Sequence, residues 1–378
     1  MAKFDVLIAG AGPSGCAAAL SLAAFAPELR CLLVDGSVAG APRGGEAVPP
    51  QIEPLLRHLG VWDTFLTAGH RPSYRTQSAW GSSALVGNEF LFHTWQRGCR
   101  LDRSGFDAML VAAAAARSVV HMRAKVTALT QNADGWRVSQ SDGTAHAARF
   151  VVDATGGAAT LARQCGLRAI KLDRLVGCCL RIGSGSDVNE ELMIETCAEG
   201  WWYTAAIPGG GRIVACMTDA DRVRPLDLGH ASGFARLLAT TTHVRRVVDA
   251  GPRLGQPMIF PAGSRRLAGT SMRPLLCVGD ASLRYDPVSG QGIVKALRSG
   301  IFAAYAIADW LHHGDARGLA RYRLMVRGEF AAYWDTLCDY YAQERRWVDQ
   351  PFWQRRNGDR EGESTIQSQR GAPFGAQA

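Results

Sequence analysis

A glycine-rich turn near the N-terminus constrains the fold more than any other feature of this chain. The apolar stretch DVLIA leads into GAGPSG at 10–15, and alanine-rich sequence follows. This order predicts a strand, a tight G-x-G-x-x-G turn and a helix. Gly10 allows the turn, Gly12 leaves room for a pyrophosphate, and Gly15 lets the helix pack close to the strand. The helix would face that phosphate with its free N–H groups and its positive dipole end.

A second apolar strand supports this interpretation. The stretch RCLLVD ends in Asp35, which lies 20 residues after Gly15. In a βαβ unit of this kind an acid at that place accepts a hydrogen bond from a ribose 2′-hydroxyl. The combination predicts dinucleotide binding, and the alternative is an ordinary βαβ unit with an incidental aspartate.

The size and composition predict a folded two-domain protein. The chain has 378 residues, 47% of them hydrophobic, which is enough for a large core. It contains no apolar run of 18 residues, and the first strand begins within four residues of the N-terminus. We therefore expect no membrane span, no signal peptide and a cytoplasmic location. Ten cysteines without C-x-x-C spacing indicate buried small hydrophobic side chains, so we expect no metal site.

The basic charge comes almost entirely from arginine. The net charge is +8, and only Lys3, Lys125, Lys171 and Lys295 are lysines among 42 basic residues. A basic stripe interleaved with aromatic residues is typical of nucleic-acid binding, and this sequence contains none. We expect neither a nucleic-acid partner nor a membrane partner.

The order of strand and helix patterns predicts an α/β fold with an insertion. Helices alternate with strands in the first part of the chain, whereas 172–218 reads as consecutive strands, which indicates an antiparallel sheet. The predicted boundaries are 1–72, 98–170 and 270–315 for a discontinuous Rossmann-like domain, 73–97 and 171–269 for an antiparallel β-sheet substrate domain, 316–356 for C-terminal helices and 357–378 for a disordered tail. Within the first domain we expect one amphipathic helix over 51–68 and one strand over 119–129.

Three separated motifs resemble one superfamily. They are the glycine turn with Asp35, DATGG at 153–157 and GDASLRYDPVSGQG at 279–292. In this order they resemble the flavoprotein monooxygenases related to p-hydroxybenzoate hydroxylase and, more closely, the flavin-dependent halogenase-like branch. The resemblance covers about residues 4–356. It implies FAD as the cofactor and a glutathione-reductase-type FAD-binding domain.

The resemblance also implies which residues hold the flavin. Asp280 would bind the ribityl chain, and Pro287 would lie beside the reactive ring. The helix that begins near Gly290 would stabilise negative charge on the reduced ring. The full implied set is Gly10, Gly12, Pro13, Ser14, Gly15, Asp35, Gly36, Arg43, Glu46, Arg103, Val126, Gly279, Asp280, Pro287, Gly290, Gly292 and Ile293.

The source of electrons is left open by the sequence. No second G-x-G-x-x-G occurs, so we expect no dedicated NAD(P)H domain. Reducing equivalents would come from transiently docked NAD(P)H or from a separate flavin reductase, with O2 as the oxidant.

One stretch resembles a motif of the halogenases, but a key residue differs. GWWYTAAIP at 200–208 is similar to their W-x-W-x-I-P motif, with the second tryptophan replaced by Tyr203 or Thr204 according to register. Arg75 stands where those enzymes use a lysine, and none of the four lysines of this chain is an evident substitute for that catalytic lysine. Arginine does not readily lose its proton and is a poor carrier of halogen. Hydroxylation is therefore favoured, and halogenation of an aromatic substrate is the alternative.

The chain also resembles flavoproteins that modify a tryptophan during maturation of quinone-cofactor enzymes of the cysteine tryptophylquinone kind. The likeness rests on chain length, on GWWYTAAIPGG and on ERRWVDQPFW at 344–353. The leading hypothesis is an FAD-dependent monooxygenase that hydroxylates an electron-rich aromatic ring through a flavin C4a-hydroperoxide. A tryptophan of a protein or peptide precursor is one candidate substrate. Further alternatives are a maturation partner that binds a precursor without turnover, and a flavin oxidase or dehydrogenase of a small molecule.

This chemistry needs few catalytic side chains. The protein has to hold the aromatic ring near the flavin and exclude water, so we expect no catalytic triad. The candidates are Pro287, Tyr203, His93 and Glu46. Plainer interpretations are a structural histidine for His93, a core aromatic for Tyr203 and a flavin-loop carboxylate without proton chemistry for Glu46.

Two adjacent tryptophans precede Tyr203 on the same predicted strand. Trp201 and Trp202 should point to opposite faces of that strand, because successive strand side chains alternate. At most one of them can line a pocket.

Overall fold

The computed structural model describes residues 2–37, 47–133, 135–183, 191–248, 255–269 and 273–357. The helices are α1 (Pro13–Phe25), α2 (Ile52–His58), α3 (Trp62–Thr67), α4 (Arg103–Ala115), α5 (Thr160–Gln164), α6 (Ala231–Leu238), α7 (Val244–Val247), α8 (Gly292–His313), α9 (Arg317–Ala342) and α10 (Pro351–Asn357). The strands are β1 (Lys3–Ala9), β2 (Cys31–Val34), β3 (Ala47–Val48), β4 (Arg71–Ser73), β5 (Arg75–Ala79), β6 (Val86–Glu89), β7 (Gly98–Arg100), β8 (Val120–Met122), β9 (Val126–Asn132), β10 (Gly135–Gln140), β11 (Ala145–Asp153), β12 (Arg168–Lys171), β13 (Leu175–Ile182), β14 (Leu192–Cys197), β15 (Gly200–Ala206), β16 (Arg212–Asp219), β17 (Met258–Pro261), β18 (Arg265–Ala268), β19 (Leu275–Cys277) and β20 (Leu283–Arg284).

The first sheet is the nucleotide-binding one. Its order is β8-β2-β1-β11-β10-β9, and β19 pairs with the C-terminal half of β11. Strands β8, β2, β1, β11 and β19 are parallel, and only β9 and β10 are antiparallel. The carboxyl ends of β1, β2 and β11 therefore share one edge, where ligands bind in folds of this type.

The second sheet forms the predicted antiparallel insertion. Its order is β17-β13-β16-β15-β14-β5-β6, and the hairpin of β5 and β6 completes one edge. Every pair is antiparallel except β14 with β5, which is parallel. One face packs on α6 and α7, and the other packs on α9 and α10. The predicted fold class is confirmed, with the correction that this sheet contains one parallel pair.

Two predicted elements are divided in the structure. The single helix expected over 51–68 is two helices, because Gly60 adopts a left-handed φ of +63° between α2 and α3. The single strand expected over 119–129 is also two, because β8 pairs with β2 whereas β9 pairs with β10.

The predicted domain boundaries remain a prediction. A small sheet of order β12-β18-β20 joins strands from both predicted parts. Residue 357 ends α10 and is the first residue of the predicted tail, and residues 358–378 lie outside the described ones. None of the helices described is both long enough and apolar enough to span a bilayer.

Candidate functional site

The glycine turn combines two close-packed positions with one open position. Gly10 has a φ of +113°, and a side chain there would collide with the carbonyl oxygen of Ala154. A side chain at Gly15 would collide with the carbonyl oxygen of Gly10. By contrast, a Cβ at Gly12 would meet nothing within 4 Å. The turn therefore leaves space at Gly12, directly before α1, which Pro13 and Ser14 open.

The second motif supports this turn from the neighbouring strand. Asp153 ends β11 and is fully buried. Its carboxylate accepts hydrogen bonds from the backbone N–H and the hydroxyl of Thr155, at 3.0 and 2.6 Å, and from the N–H of Ala162 at 2.8 Å. This network holds Ala154 in place against Gly10.

The predicted adenosine-side residues lie together at the end of β2. Asp35 is half-buried and accepts a hydrogen bond from the Ser37 N–H at 2.9 Å. A Cβ at Gly36 would lie 3.1 Å from the Cα of Lys125, which precedes the buried Val126 on β9. Contact of these residues with a cofactor remains a prediction.

The third motif is in direct contact with the first. Gly279 has a φ of +56°, and a Cβ there would approach the Ser14 Oγ to 2.5 Å. The Gly279 N–H donates to the Ser299 Oγ on α8 at 2.8 Å. The structure therefore brings together the two motifs that are separated by more than 260 residues in sequence.

Asp280 has a partner that the sequence analysis did not identify. Its carboxylate, 40% exposed, accepts a hydrogen bond from Lys295 Nζ at 2.6 Å. Lys295 is only 2% exposed and also donates to the carbonyl oxygen of Leu283 at 2.6 Å. The spacing of 15 residues gives no local sign of this ion pair, because it joins a turn to the first turn of a helix.

The loop that follows Asp280 forms the N-terminal end of α8. The Asp286 side chain caps a short 3₁₀ turn over Pro287–Ser289 by accepting from the Val288 N–H at 2.9 Å. Gly290 then adopts a φ of +62°, which favours glycine. At the start of the helix Gly292 has open space around its Cα, whereas Ile293 is buried.

Other predicted residues have different surroundings. Arg103 begins α4, and its Nη2 lies 3.3 Å from both carboxylate oxygens of Asp107. Arg43 and Glu46 lie outside the described residues, so their predicted contacts with the flavin stay predictions.

The predicted catalytic candidates do not all share one location. Tyr203 is half-buried and packs in the same apolar cluster as Val288, the residue after Pro287. His93 is half-buried, its ring packs against Trp95, and its Nδ1 accepts from the Trp95 N–H at 3.3 Å. The structure thus brings Tyr203 into the cluster that holds the Pro287 turn, whereas the contacts shown for His93 are with Trp95.

The adjacent tryptophans face opposite ways, as predicted. Trp201 packs on the α9 and α10 side of the sheet, and Trp202 packs on the α6 side against Phe234. Their exposed fractions are 1% and 0%. Both are core residues, so neither presents an open surface to a substrate.

The arrangement fits a dinucleotide that carries a flavin. Gly12 offers room for a pyrophosphate, Asp35 is an acceptor where a ribose is expected, and the exposed side of Asp280 is an acceptor for further hydroxyl groups. Within the described ranges, no group of three His, Cys, Asp or Glu side chains is placed to hold a metal ion.

Comparison with known families decides the assignment. A family described as "FAD binding domain" matches residues 3–327. The chain belongs to this FAD binding domain family. The predictions of FAD as the cofactor, of the flavoprotein superfamily and of an FAD-dependent oxidoreductase are thereby confirmed.

Individual proteins show how far the likeness extends. The protein named "Putative FAD-dependent oxidoreductase LodB" from Marinomonas mediterranea is 31% identical over 368 residues, which are 94% of this chain and 98% of LodB. The fold is similar to the myxobacterial chondrochloren halogenase CndH, with a TM-score of 0.85, 19% identity, and coverage of 98% and 90% of the two chains. It is also similar to the peptidyl tryptophan dihydroxylase QhpG, with a TM-score of 0.79, 24% identity, and coverage of 95% and 79%.

Proposed function

We propose that this FAD-dependent oxidoreductase is a monooxygenase that hydroxylates an electron-rich aromatic ring, and that its substrate is a tryptophan side chain of a protein or peptide precursor. The likeness to QhpG, described as essential for tryptophylquinone cofactor biogenesis, supports the substrate class. Bound FAD would supply oxygen transfer to the ring, with electrons from NAD(P)H or from a separate reductase.

The protonated state of the Arg75 side chain is the observation that favours hydroxylation over halogenation. Arg75 lies on β5, forms an ion pair with Glu191, and has a second carboxylate, that of Glu89, at 3.5 Å. The hydrogen bond and the charge of Glu191 raise the pKa of the Arg75 guanidinium above its already high value. A side chain held protonated in this way cannot carry halogen on nitrogen as a neutral amine can.

Lys295 does not replace the missing lysine. It is buried on α8, and its ammonium is shared between the carboxylate of Asp280, in the third motif, and the Leu283 carbonyl oxygen. This placement supports hydroxylation, because the ammonium is held at the flavin motif.

Aromatic side chains on the second sheet supply an environment from which water is excluded. Tyr203 and Val288 belong to a cluster that also contains Trp80, Trp347 and Trp353. Such an apolar cluster favours binding of an aromatic ring over water. Exclusion of water is required for transfer of an electrophilic oxygen to the ring. Of the predicted candidates, Tyr203 shares this cluster with Val288, and we propose it as the group that would accept a proton from the substrate.

The test is oxygen incorporation into a candidate precursor. FAD-loaded protein, NAD(P)H or a flavin reductase, ¹⁸O₂ and a tryptophan-containing precursor encoded beside this chain would be combined in the presence of chloride and bromide. We expect intact-mass and fragment spectra to show one or two ¹⁸O atoms on a tryptophan. Chlorine or bromine on the product would contradict the proposal.

Two variants complete this experiment. Arg75→Lys supplies a lysine at this position, so halogenated product should form, if at all, in this variant and not in the unchanged protein. Gly12→Ala, which is expected to lose FAD, should yield no labelled product. Maturation of the precursor by this FAD-free variant would favour a binding partner without turnover.

A further inference from the structure

A chain of buried hydrogen bonds joins the second sheet to the turn that precedes α8. The Trp201 Nε1–H donates to the Tyr341 Oη at 2.9 Å, and the Tyr341 hydroxyl donates to the Asp286 Oδ2 at 2.8 Å. The three side chains are 1%, 3% and 2% exposed. They come from β15, from α9 and from the residue directly before Pro287, so one buried path connects three distant parts of the chain.

The backbone N–H and both carboxylate oxygens of Asp286 form hydrogen bonds. Its Oδ1 accepts from the Val288 N–H at 2.9 Å, and its own backbone N–H donates to the Tyr333 Oη at 2.6 Å. The Tyr333 Oη lies 2.7 Å from the Ser264 Oγ. Rotation of Asp286 would break several of these bonds at once, so the side chain fixes the conformation of the turn.

The turn lies next to the nucleotide-binding motifs. It leads into α8, whose Ala296 lies against Gly279 and whose Gly300 lies against the backbone of Ser14. A shift of the turn would therefore move the first turn of α8 relative to the glycine turn. On its other side the turn packs through Val288 in the apolar cluster that contains Tyr203.

The burial of Asp286 lowers stability at the upper end of the physiological pH range. Burial, and then the charge of Asp173, raise the pKa of Asp286 to about 7, while the Val288 N–H, the Tyr341 hydroxyl and Arg356 act in the opposite direction. The folded state binds more protons than the unfolded state between the ordinary value of 3.8 and about 7, so this carboxyl lowers stability as pH rises through that range. A buried carboxyl whose pKa is displaced in this way is typical of functional sites.

We propose that Asp286 is a positioning residue of the flavin site. By accepting from Tyr341 and from the Val288 amide, it holds the Pro287 turn at a set position relative to β15 and thereby sets the surroundings of the bound flavin ring. This inference rests on the proposed flavin chemistry only through FAD binding, and it does not depend on which substrate is oxidised.

The test measures the bound flavin and not turnover. Visible circular dichroism of bound FAD and its dissociation constant would be followed from about pH 5.5 to about pH 8.5. In the unchanged protein we expect the dichroism to titrate with a midpoint near the pKa of Asp286, about 7. Asp286→Asn should abolish the titration and weaken FAD binding about 10-fold. Tyr341→Phe should move the midpoint upward, because it removes a hydrogen bond that favours the carboxylate.

The two tryptophans provide a matched control pair. Trp201→Phe removes the donor to Tyr341 and should shift the midpoint upward by less than Tyr341→Phe does. Trp202→Phe removes an equally buried indole from the opposite face of the same strand and should leave the flavin dichroism and its midpoint unchanged.

Two results would overturn the assignment of Asp286. One is that folded Asp286→Asn and Tyr341→Phe lower only the melting temperature and leave the dichroism and its pH dependence unchanged. The other is that Trp202→Phe changes the flavin signals as much as Trp201→Phe does. Since no substrate is present, failure of the hydroxylation assay would not be mistaken for either result.

Discussion

Replacing Gly15 by alanine is expected to lower the free energy of unfolding by at least about 3 kcal/mol, whereas replacing Gly12 should leave it within about 0.5 kcal/mol. The Gly15 methyl group would collide with the backbone oxygen of Gly10, which cannot move without disrupting β1 and α1. Gly12 has an extended backbone, with φ −76° and ψ −178°, and open space around its Cα. Its alanine variant should fold but bind FAD roughly 100-fold more weakly, because the methyl group occupies the approach of the pyrophosphate.

Urea unfolding of the FAD-free proteins and fluorescence titration with FAD separate these two effects. Gly328→Ala is the matched control, since Gly328 is an exposed position on α9 with nothing near its Cα. It should raise stability by up to about 1 kcal/mol and leave FAD binding unchanged. Wild-type FAD affinity in Gly12→Ala would show that the pyrophosphate does not lie at this turn.

Replacing Asp280 by alanine is expected to weaken FAD binding roughly 10- to 100-fold and to lower stability by roughly 3 kcal/mol. The carboxylate is an exposed acceptor for the cofactor on one side and the partner of Lys295 on the other. Its removal leaves a buried ammonium whose remaining hydrogen-bond acceptor, among the residues that the structure describes, is the Leu283 carbonyl oxygen. The stability loss should therefore exceed that of an exposed carboxylate.

A double-mutant cycle with Lys295→Met distinguishes the two roles of Asp280. The double variant Asp280→Ala/Lys295→Met should recover most of the stability that Asp280→Ala loses, because the uncompensated charge is gone. It should not recover FAD affinity. Additive stability changes, or restored FAD binding, would contradict the proposed division between ion pair and cofactor contact.

Features that depend on neighbouring residues in the sequence were predicted correctly, whereas features that depend on contacts between distant residues were missed. The consecutive strands of the insertion over 172–218 were predicted, since each is a separate apolar run bounded by turn residues. The break at Gly60 was missed, because an amphipathic pattern continues across it although Gly60 turns the chain with a left-handed φ of +63°. Asp286 was overlooked because it lies inside a motif whose glycines and proline already had an explanation.

The sequence by itself determined the flavin-binding fold of this protein, because the glycine turn, Asp35 and the apolar strands are local signals that each act over a few residues. Only the tertiary structure decided which ionisable groups meet. Lys295 reaches Asp280, and Tyr341 joins Asp286 to Trp201 across separations of 55 and 140 residues. Such contacts have no periodicity along the chain, since they arise where two sheets and a helix pair exclude water from the same polar atoms.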